Sequence, residues 1–207
     1  MKVRALGLLT FVGLCAMLMQ ACSRPLAPQE SCNFVQNPEQ QRVSWNRNVP
    51  VKIFLHESVP TDAYPAIDRA IEELNLKAGN GHELIKIIGR GTAGELNPKK
   101  DGYSMIYWFK EWDGSRSEQA RTTIYWQGAE IFEADMRINA ATFSYNEGED
   151  TNFTNVDLQS LVLHELGHVL GLAHNPTSGS VMNITLNEGQ DRRKLGSVDL
   201  ASLKCEY

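Results

Sequence analysis

The sequence lacks the features that would indicate a nucleic-acid-binding protein. Its 20 Lys and Arg residues are outnumbered by 25 Asp and Glu residues, which gives a net charge of −5, and no basic stripe runs along the chain. Binding to a phosphate backbone requires clustered positive charge, so we expect no nucleic-acid partner. No internal repeat or low-complexity tract is present, and 207 residues suffice for one medium-sized domain.

The sequence also has only one long apolar run, and it lies at the start of the chain. Lys2 and Arg4 are followed by apolar residues from Ala5 to Met19 and then by Gln20-Ala21-Cys22. Such a run is too short for a membrane-spanning helix, and its charged start is typical of an export signal rather than of a core helix. We therefore assign residues 1–22 to a signal peptide.

Cys22 follows a small residue, Ala21, where the apolar run has ended. This arrangement resembles the lipobox of bacterial lipoproteins, in which the cysteine is acylated and becomes the mature N-terminus. The resemblance implies a lipid anchor in a membrane and a location in the bacterial cell envelope, at the outer membrane. The alternative is a cleaved signal peptide and secretion without a lipid.

Cysteine is scarce, with four residues in the whole chain. Cys15 would leave with the signal peptide and Cys22 would carry the lipid, so Cys32 and Cys205 remain as one pair. An oxidising compartment favours a disulfide between them, with two free thiols as the alternative.

The remainder of the chain divides into a linker and one domain. Residues 23–42 contain three prolines and many Gln and Asn residues but few large apolar ones, so we predict a linker there and a folded domain over residues 43–207. Alternating or continuous apolar runs predict five strands, and helical spacing predicts an early helix, a helix over 155–170 and a short helix from Ser197. The strand predictions are Val49–Leu55, Leu84–Ile88, Tyr103–Phe109, Thr122–Trp126 and Ile131–Ile138. This order indicates an α+β domain with a mixed sheet.

Three of the five histidines fall within eleven residues, His164 to His174. On a helix, four residues advance about 400°, so His164 and His168 lie on one face and can converge on one metal ion. Gly171 can adopt positive φ and end the helix, which lets the chain turn back and bring His174 to the same ion. Three imidazoles with one open position are typical of a catalytic zinc site.

Glu165 lies beside the first histidine, offset by about 100° around the helix. It is therefore placed to exchange a proton with water rather than to bind the metal. Zinc lowers the pKa of bound water to about 7, so the segment predicts hydrolysis with Glu165 as general base and acid.

The segment from His164 to His174 matches the metzincin signature His-Glu-x-x-His-x-x-Gly-x-x-His. Ser180-Val181-Met182 resembles the Met-turn of that family, in which a methionine packs beneath the zinc ligands. Glu133 to Ile138 and Leu195 to Tyr207 resemble the matrixin subgroup, and Asp199 falls where matrixins have an aspartate that supports the Met-turn. The resemblance implies one metzincin-like domain with a twisted mixed sheet, and endopeptidase activity on proteins or peptides.

The sequence departs from matrixins at several points. The His-x-Asp cluster of a second, structural zinc is missing, so we predict one zinc ion, and the calcium-binding loops are not recognisable, which leaves calcium open. Cys32 lacks the Pro-Arg-Cys-Gly context with which a matrixin cysteine masks the metal. We expect a monomer. The alternatives are an envelope lipoprotein whose zinc only stabilises the fold, and a zinc hydrolase with a non-peptide substrate.

Overall fold

A computed structural model describes residues 32–79, 81–150 and 154–207. The predicted signal peptide, Cys22 and the first part of the predicted linker lie outside these ranges. Within them, no helix has the length and apolar character needed to cross a bilayer.

One five-stranded sheet forms the framework, with strand order β2-β1-β3-β5-β4. Four neighbouring strands are parallel, and the edge strand β4 pairs antiparallel with β5 through a tight hairpin. The strands are β1 (Val51–His56), β2 (Ile85–Thr92), β3 (Ser104–Phe109), β4 (Ala120–Gln127) and β5 (Glu130–Asn139). All five predicted strands are present, with shifted boundaries.

A second, two-stranded sheet was not predicted. Strands β6 (Tyr145–Asn146) and β7 (Val156–Asp157) pair in parallel immediately before the helix Leu158–Val169. Two-residue strands carry no periodic signal, and the helix predicted over 155–170 included the residues of β7.

Three helices complete the α+β fold, which confirms the predicted class. Helix α1 (Tyr64–Ala78) connects the parallel strands β1 and β2, helix α2 (Leu158–Val169) packs against α1 and β4, and helix α3 (Ser197–Leu203) lies near the C-terminus. Apolar side chains of α1, α2 and one face of the sheet meet in a single core. The largest of these fully buried side chains include Ile53, Leu55, Ile67, Leu74, Ile106, Met136, Leu163 and Leu166.

Helix α2 begins three residues later than the predicted start at residue 155. Its N-terminal cap is Asp157, whose carboxylate accepts a hydrogen bond from the backbone N–H of Ser160. The guanidinium of Arg193 pairs with the same carboxylate. The short β6–β7 pairing delays the helix start, because Val156 and Asp157 are already committed to extended backbone.

Residues 32–42 belong to the domain, whereas composition placed them in a linker. Phe34 is 2% exposed, and a disulfide joins Cys32 to Cys205 with a Cα–Cα separation of 5.9 Å. The Gln and Asn side chains that indicated a linker form a compact turn instead. The Asn37 side chain bonds both the backbone and the side chain of Gln41.

Candidate metal centre and active-site cleft

The three histidines of the motif converge at one point. The Nε2 atom of His168 lies 3.1 Å from Nε2 of His164 and 3.1 Å from Nε2 of His174. Tetrahedral zinc with Zn–N bonds of about 2.0–2.1 Å needs ligand nitrogens about 3.3–3.4 Å apart, so this spacing fits the ion. Among the described residues, no fourth His, Cys, Asp or Glu joins the group.

Hydrogen bonds at the opposite ring nitrogens orient the two helical histidines. Nδ1 of His164 donates to the carbonyl of Val181 at 2.7 Å, and Nδ1 of His168 donates to the carbonyl of Leu172 at 2.8 Å. A proton on Nδ1 leaves a lone pair on Nε2, which is the form that binds metal.

Burial favours the same neutral form. It lowers the pKa of His164 to about 3 and that of His168 to about 4. The pKa of His174 is also lowered by burial, although this ring is the most exposed of the three. Metal ligation requires neutral imidazole, so the site is prepared for an ion at neutral pH.

Gly171 ends helix α2 in the conformation that the motif requires. Its φ is +95°, its N–H bonds the carbonyl of His168, and the N–H of Leu172 bonds the carbonyl of Gly167. This pair of bonds is a Schellman motif, which reverses the chain direction. A side chain at Gly171 would also come within 2.2 Å of the Val43 carbonyl oxygen, so only glycine fits.

The residues assigned to the Met-turn pack against helix α2 beside its histidines. Met182 is 1% exposed, and its Sδ atom occupies the space that a Cβ on Gly167 would need, between His164 and His168 on the helix.

Asp199 holds the Met-turn from below. Its carboxylate accepts hydrogen bonds from the Ser180 hydroxyl at 2.5 Å and from the backbone N–H of Val181 at 2.9 Å. Because the Val181 carbonyl bonds His164, a continuous chain of contacts links Asp199 to the first histidine.

Glu165 is 4% exposed and lies beside the triad. Burial raises its pKa to about 7, and a hydrogen bond from the Thr122 hydroxyl to its Oε2 atom, at 2.6 Å, partly opposes this rise. A carboxyl group with a pKa near neutrality can both accept and return a proton at physiological pH.

An open cleft of about 870 Å³ connects these groups. The three histidines and Glu165 line it, together with strand β4 and the loop that follows the Met-turn. Strand β4 is at the edge of the sheet, so the backbone groups on its outer side are free to pair with an extended chain. Trp126, 41% exposed, lies in the wall of the cleft, whereas Tyr125 does not line it.

Two supports of the site were missed by the sequence analysis. One is Thr122, which lies 43 residues before Glu165 and on another element. The other is the segment around Asn33, whose side-chain amide donates to the carbonyl of Ala173 at 2.7 Å and whose carbonyl accepts from the Ala173 N–H. Neither contact leaves a periodic or motif signal in the sequence.

A loop after the Met-turn is also held by an unanticipated side chain. The Arg192 guanidinium donates to the carbonyls of Ser180, Asn183 and Thr185. These bonds hold the loop of residues 183–187, which lines the cleft.

Comparison with known proteins places these features in a family context. Residues 105–207 match the family model described as Matrixin, Peptidase_M10. The chain is 32% identical over 68 residues to metalloendoproteinase 4-MMP of Arabidopsis thaliana, a match that spans 33% of this chain and 20% of that protein. It is 36% identical over 52 residues to metalloendoproteinase 2-MMP of the same plant, across 25% of this chain and 14% of the relative. The matches thus cover a fifth or less of each relative's length.

Proposed function

Because the chain is a matrixin-like metzincin over residues 105–207, we propose that it is a zinc-dependent endopeptidase that hydrolyses peptide bonds in proteins. The observation that carries the proposal is the convergence of three imidazole Nε2 atoms beside a buried carboxylate in an open cleft. Endopeptidase activity is what this combination supports best.

His164, His168 and His174 would hold one zinc ion. Zinc supplies Lewis-acid chemistry, lowering the pKa of water to about 7 and polarising the substrate carbonyl. With three protein ligands rather than four, the donor set resembles that of catalytic rather than structural zinc sites. This favours the enzyme over the alternative of a zinc that only stabilises the fold.

Glu165 would perform the proton transfers. Its carboxylate accepts a proton from the attacking water and then returns it to the amine that leaves the cleaved bond. The raised pKa suits both steps, because the group must be ionised first and protonated afterwards.

The edge strand β4 would bind the substrate. An extended peptide that pairs with β4 would gain main-chain hydrogen bonds along the cleft, and its side chains would point alternately into and away from the wall. This mode of binding requires an unfolded or loop segment in the substrate, which is the basis for proposing an endopeptidase.

The test compares three preparations in casein and peptide cleavage: wild type, Glu165→Ala, and wild type treated with a chelator. We expect only the first to cleave, and metal analysis of the folded wild type to give about one zinc per chain. Equal behaviour of all three preparations would show that the zinc, if present, is structural.

For the N-terminal region we propose, from the sequence alone, that Cys22 is acylated and anchors the domain at the cell envelope. The intact mass of the mature protein tests this directly, because acylation at Cys22 and simple cleavage give different masses. The same spectrum, recorded with and without reductant, tests the Cys32–Cys205 bond.

A further inference from the structure

We propose that Thr122 is a positioning residue for Glu165, holding one carboxylate oxygen so that the other faces the cleft. The inference rests on the proposed function, because it assigns a partner to the residue that would transfer the proton. Its basis is a single short contact: the Thr122 hydroxyl donates to Oε2 of Glu165 at 2.6 Å.

The position of Thr122 in the sheet explains why its side chain reaches the helix. It pairs with Met136 of β5, a buried core residue, whereas its neighbour Thr123 pairs with Asp135. Successive side chains of a strand point to opposite faces, so Thr122 lies on the face that packs against helix α2. Glu165 lies on that helix, and α2 packs directly against β4.

The two oxygens of the Glu165 carboxylate have different surroundings. Among the described residues, Thr122 is the one side chain that bonds the carboxylate, and it bonds Oε2. Oε1 forms no hydrogen bond with these residues. It is not one of the fully buried polar atoms that lack a hydrogen-bond partner, and Glu165 lines the cleft. Oε1 is therefore the oxygen that is available to a reacting proton.

The hydroxyl has two acceptors within reach, and the carboxylate is the favoured one. The backbone carbonyl of Glu165 lies 3.4 Å from the Thr122 Oγ1 atom, against 2.6 Å for Oε2. A hydroxyl has one proton to donate, and bonds to a charged acceptor are the shorter and stronger ones.

Threonine is well suited to this task because its side chain is stiff. The terminal torsion of a glutamate is broad, so burial alone does not fix the plane of the carboxylate. A β-branched residue has restricted χ1 rotamers, and a sheet holds its backbone. The hydrogen bond from Thr122 therefore fixes the orientation of the Glu165 carboxylate relative to strand β4.

The experiment measures kcat and KM for wild type, Thr122→Val and Thr122→Ser. Valine keeps the shape but loses the donor, so we expect kcat to fall by about 10- to 100-fold, with KM changed by less than about twofold. Serine keeps the donor, and its kcat should stay within about threefold of wild type. Thr92→Val, on strand β2 at the opposite edge of the sheet, is the matched control and should leave both constants unchanged.

Zinc content and melting temperature are measured on every variant, so that the result does not depend on activity alone. Unchanged zinc and stability in Thr122→Val, with the loss confined to kcat and restored in Thr122→Ser, is the expected outcome. The proposal is overturned if Thr122→Val matches wild type, if Val and Ser lose activity equally, or if zinc or stability falls in parallel with kcat.

Failure of this inference and failure of the proposed function give different results. If wild type cleaves substrate and Glu165→Ala does not, the function stands whatever Thr122→Val shows. If wild type and Glu165→Ala are equally inactive, the function itself is lost.

Discussion

Residues 105–207 carry the three histidines, Glu165 and Met182, whereas the N-terminal segment, residues 32–45, carries none of them yet holds the loop that bears His174. Its backbone pairs with residues 171–173, and the Trp45 indole N–H donates to the carbonyl of Val169 at 2.7 Å. The family model matches the part that would do the chemistry. Part of its structural support comes from residues 32–45, outside the match, so substitutions there should change stability more than chemistry.

The largest effect should come from Glu165→Gln, which removes proton transfer while keeping the shape of the side chain. We expect kcat/KM for a peptide substrate to fall by about 10²- to 10⁴-fold with little change in melting temperature. Asp135→Asn is the matched control, because Asp135 is also a buried carboxyl but lies on the face of the sheet away from α2. A comparable loss of activity in Asp135→Asn would contradict the prediction that proton transfer belongs to Glu165 and that other buried carboxyl groups only support the fold.

Removing the disulfide should mainly affect stability. A Cys32→Ser, Cys205→Ser double variant opens the disulfide between residues with a sequence separation of 173. In the chain-entropy model, the variant loses about 5 kcal/mol of unfolding free energy. Chemical denaturation of wild type and variant measures the loss. Zinc release to a chelator should also become faster, because Asn33, next to Cys32, bonds the carbonyls of Ala173 and His174.

The pH dependence of stability should identify Asp135 as a structural group. Burial, and then the neighbouring Glu133 carboxylate, raise its pKa to about 7, and its Oδ2 atom has no hydrogen-bond partner among the described residues. The folded state therefore keeps a proton that the unfolded state releases near pH 3.9, so stability falls as pH rises from about 4 to about 7.

Denaturant unfolding at several pH values compares wild type with Asp135→Asn. Between pH 4 and pH 7, the unfolding free energy of wild type should fall by up to about 4 kcal/mol relative to that of the variant. Above pH 7 the difference between the two proteins should stay constant. Parallel curves for the two proteins would show that Asp135 does not hold the proton.

A pair of glycine substitutions should separate backbone strain from the contact between the two regions. Gly171 and Gly179 both have positive φ, +95° and +82°, but only at Gly171 would a Cβ meet the carbonyl of Val43. We expect Gly179→Ala to cost about 1 kcal/mol of unfolding free energy and Gly171→Ala about 3 kcal/mol. Equal losses of unfolding free energy in the two variants would mean that residues 32–45 do not restrain the loop that bears His174.

The sequence predicted the elements that have a period or a motif. The five strands alternate or run continuously apolar, and the spacing of His164, His168 and Gly171 follows from helix geometry. It misplaced residues 32–42 because amide-rich composition does not distinguish a linker from a turn in which Asn37 and Gln41 bond each other. It also missed the β6–β7 pair, which is too short to show a period.

The sequence by itself determined which residue types can bind zinc and transfer a proton, because those depend on side-chain chemistry and on spacing within one helix and its turn. Only the tertiary structure decided that Thr122 bonds Glu165 and that Asn33 supports the His174 loop. These contacts join residues 43 and 140 positions apart. Such pairings are set by how elements pack, and no local pattern in the chain encodes them.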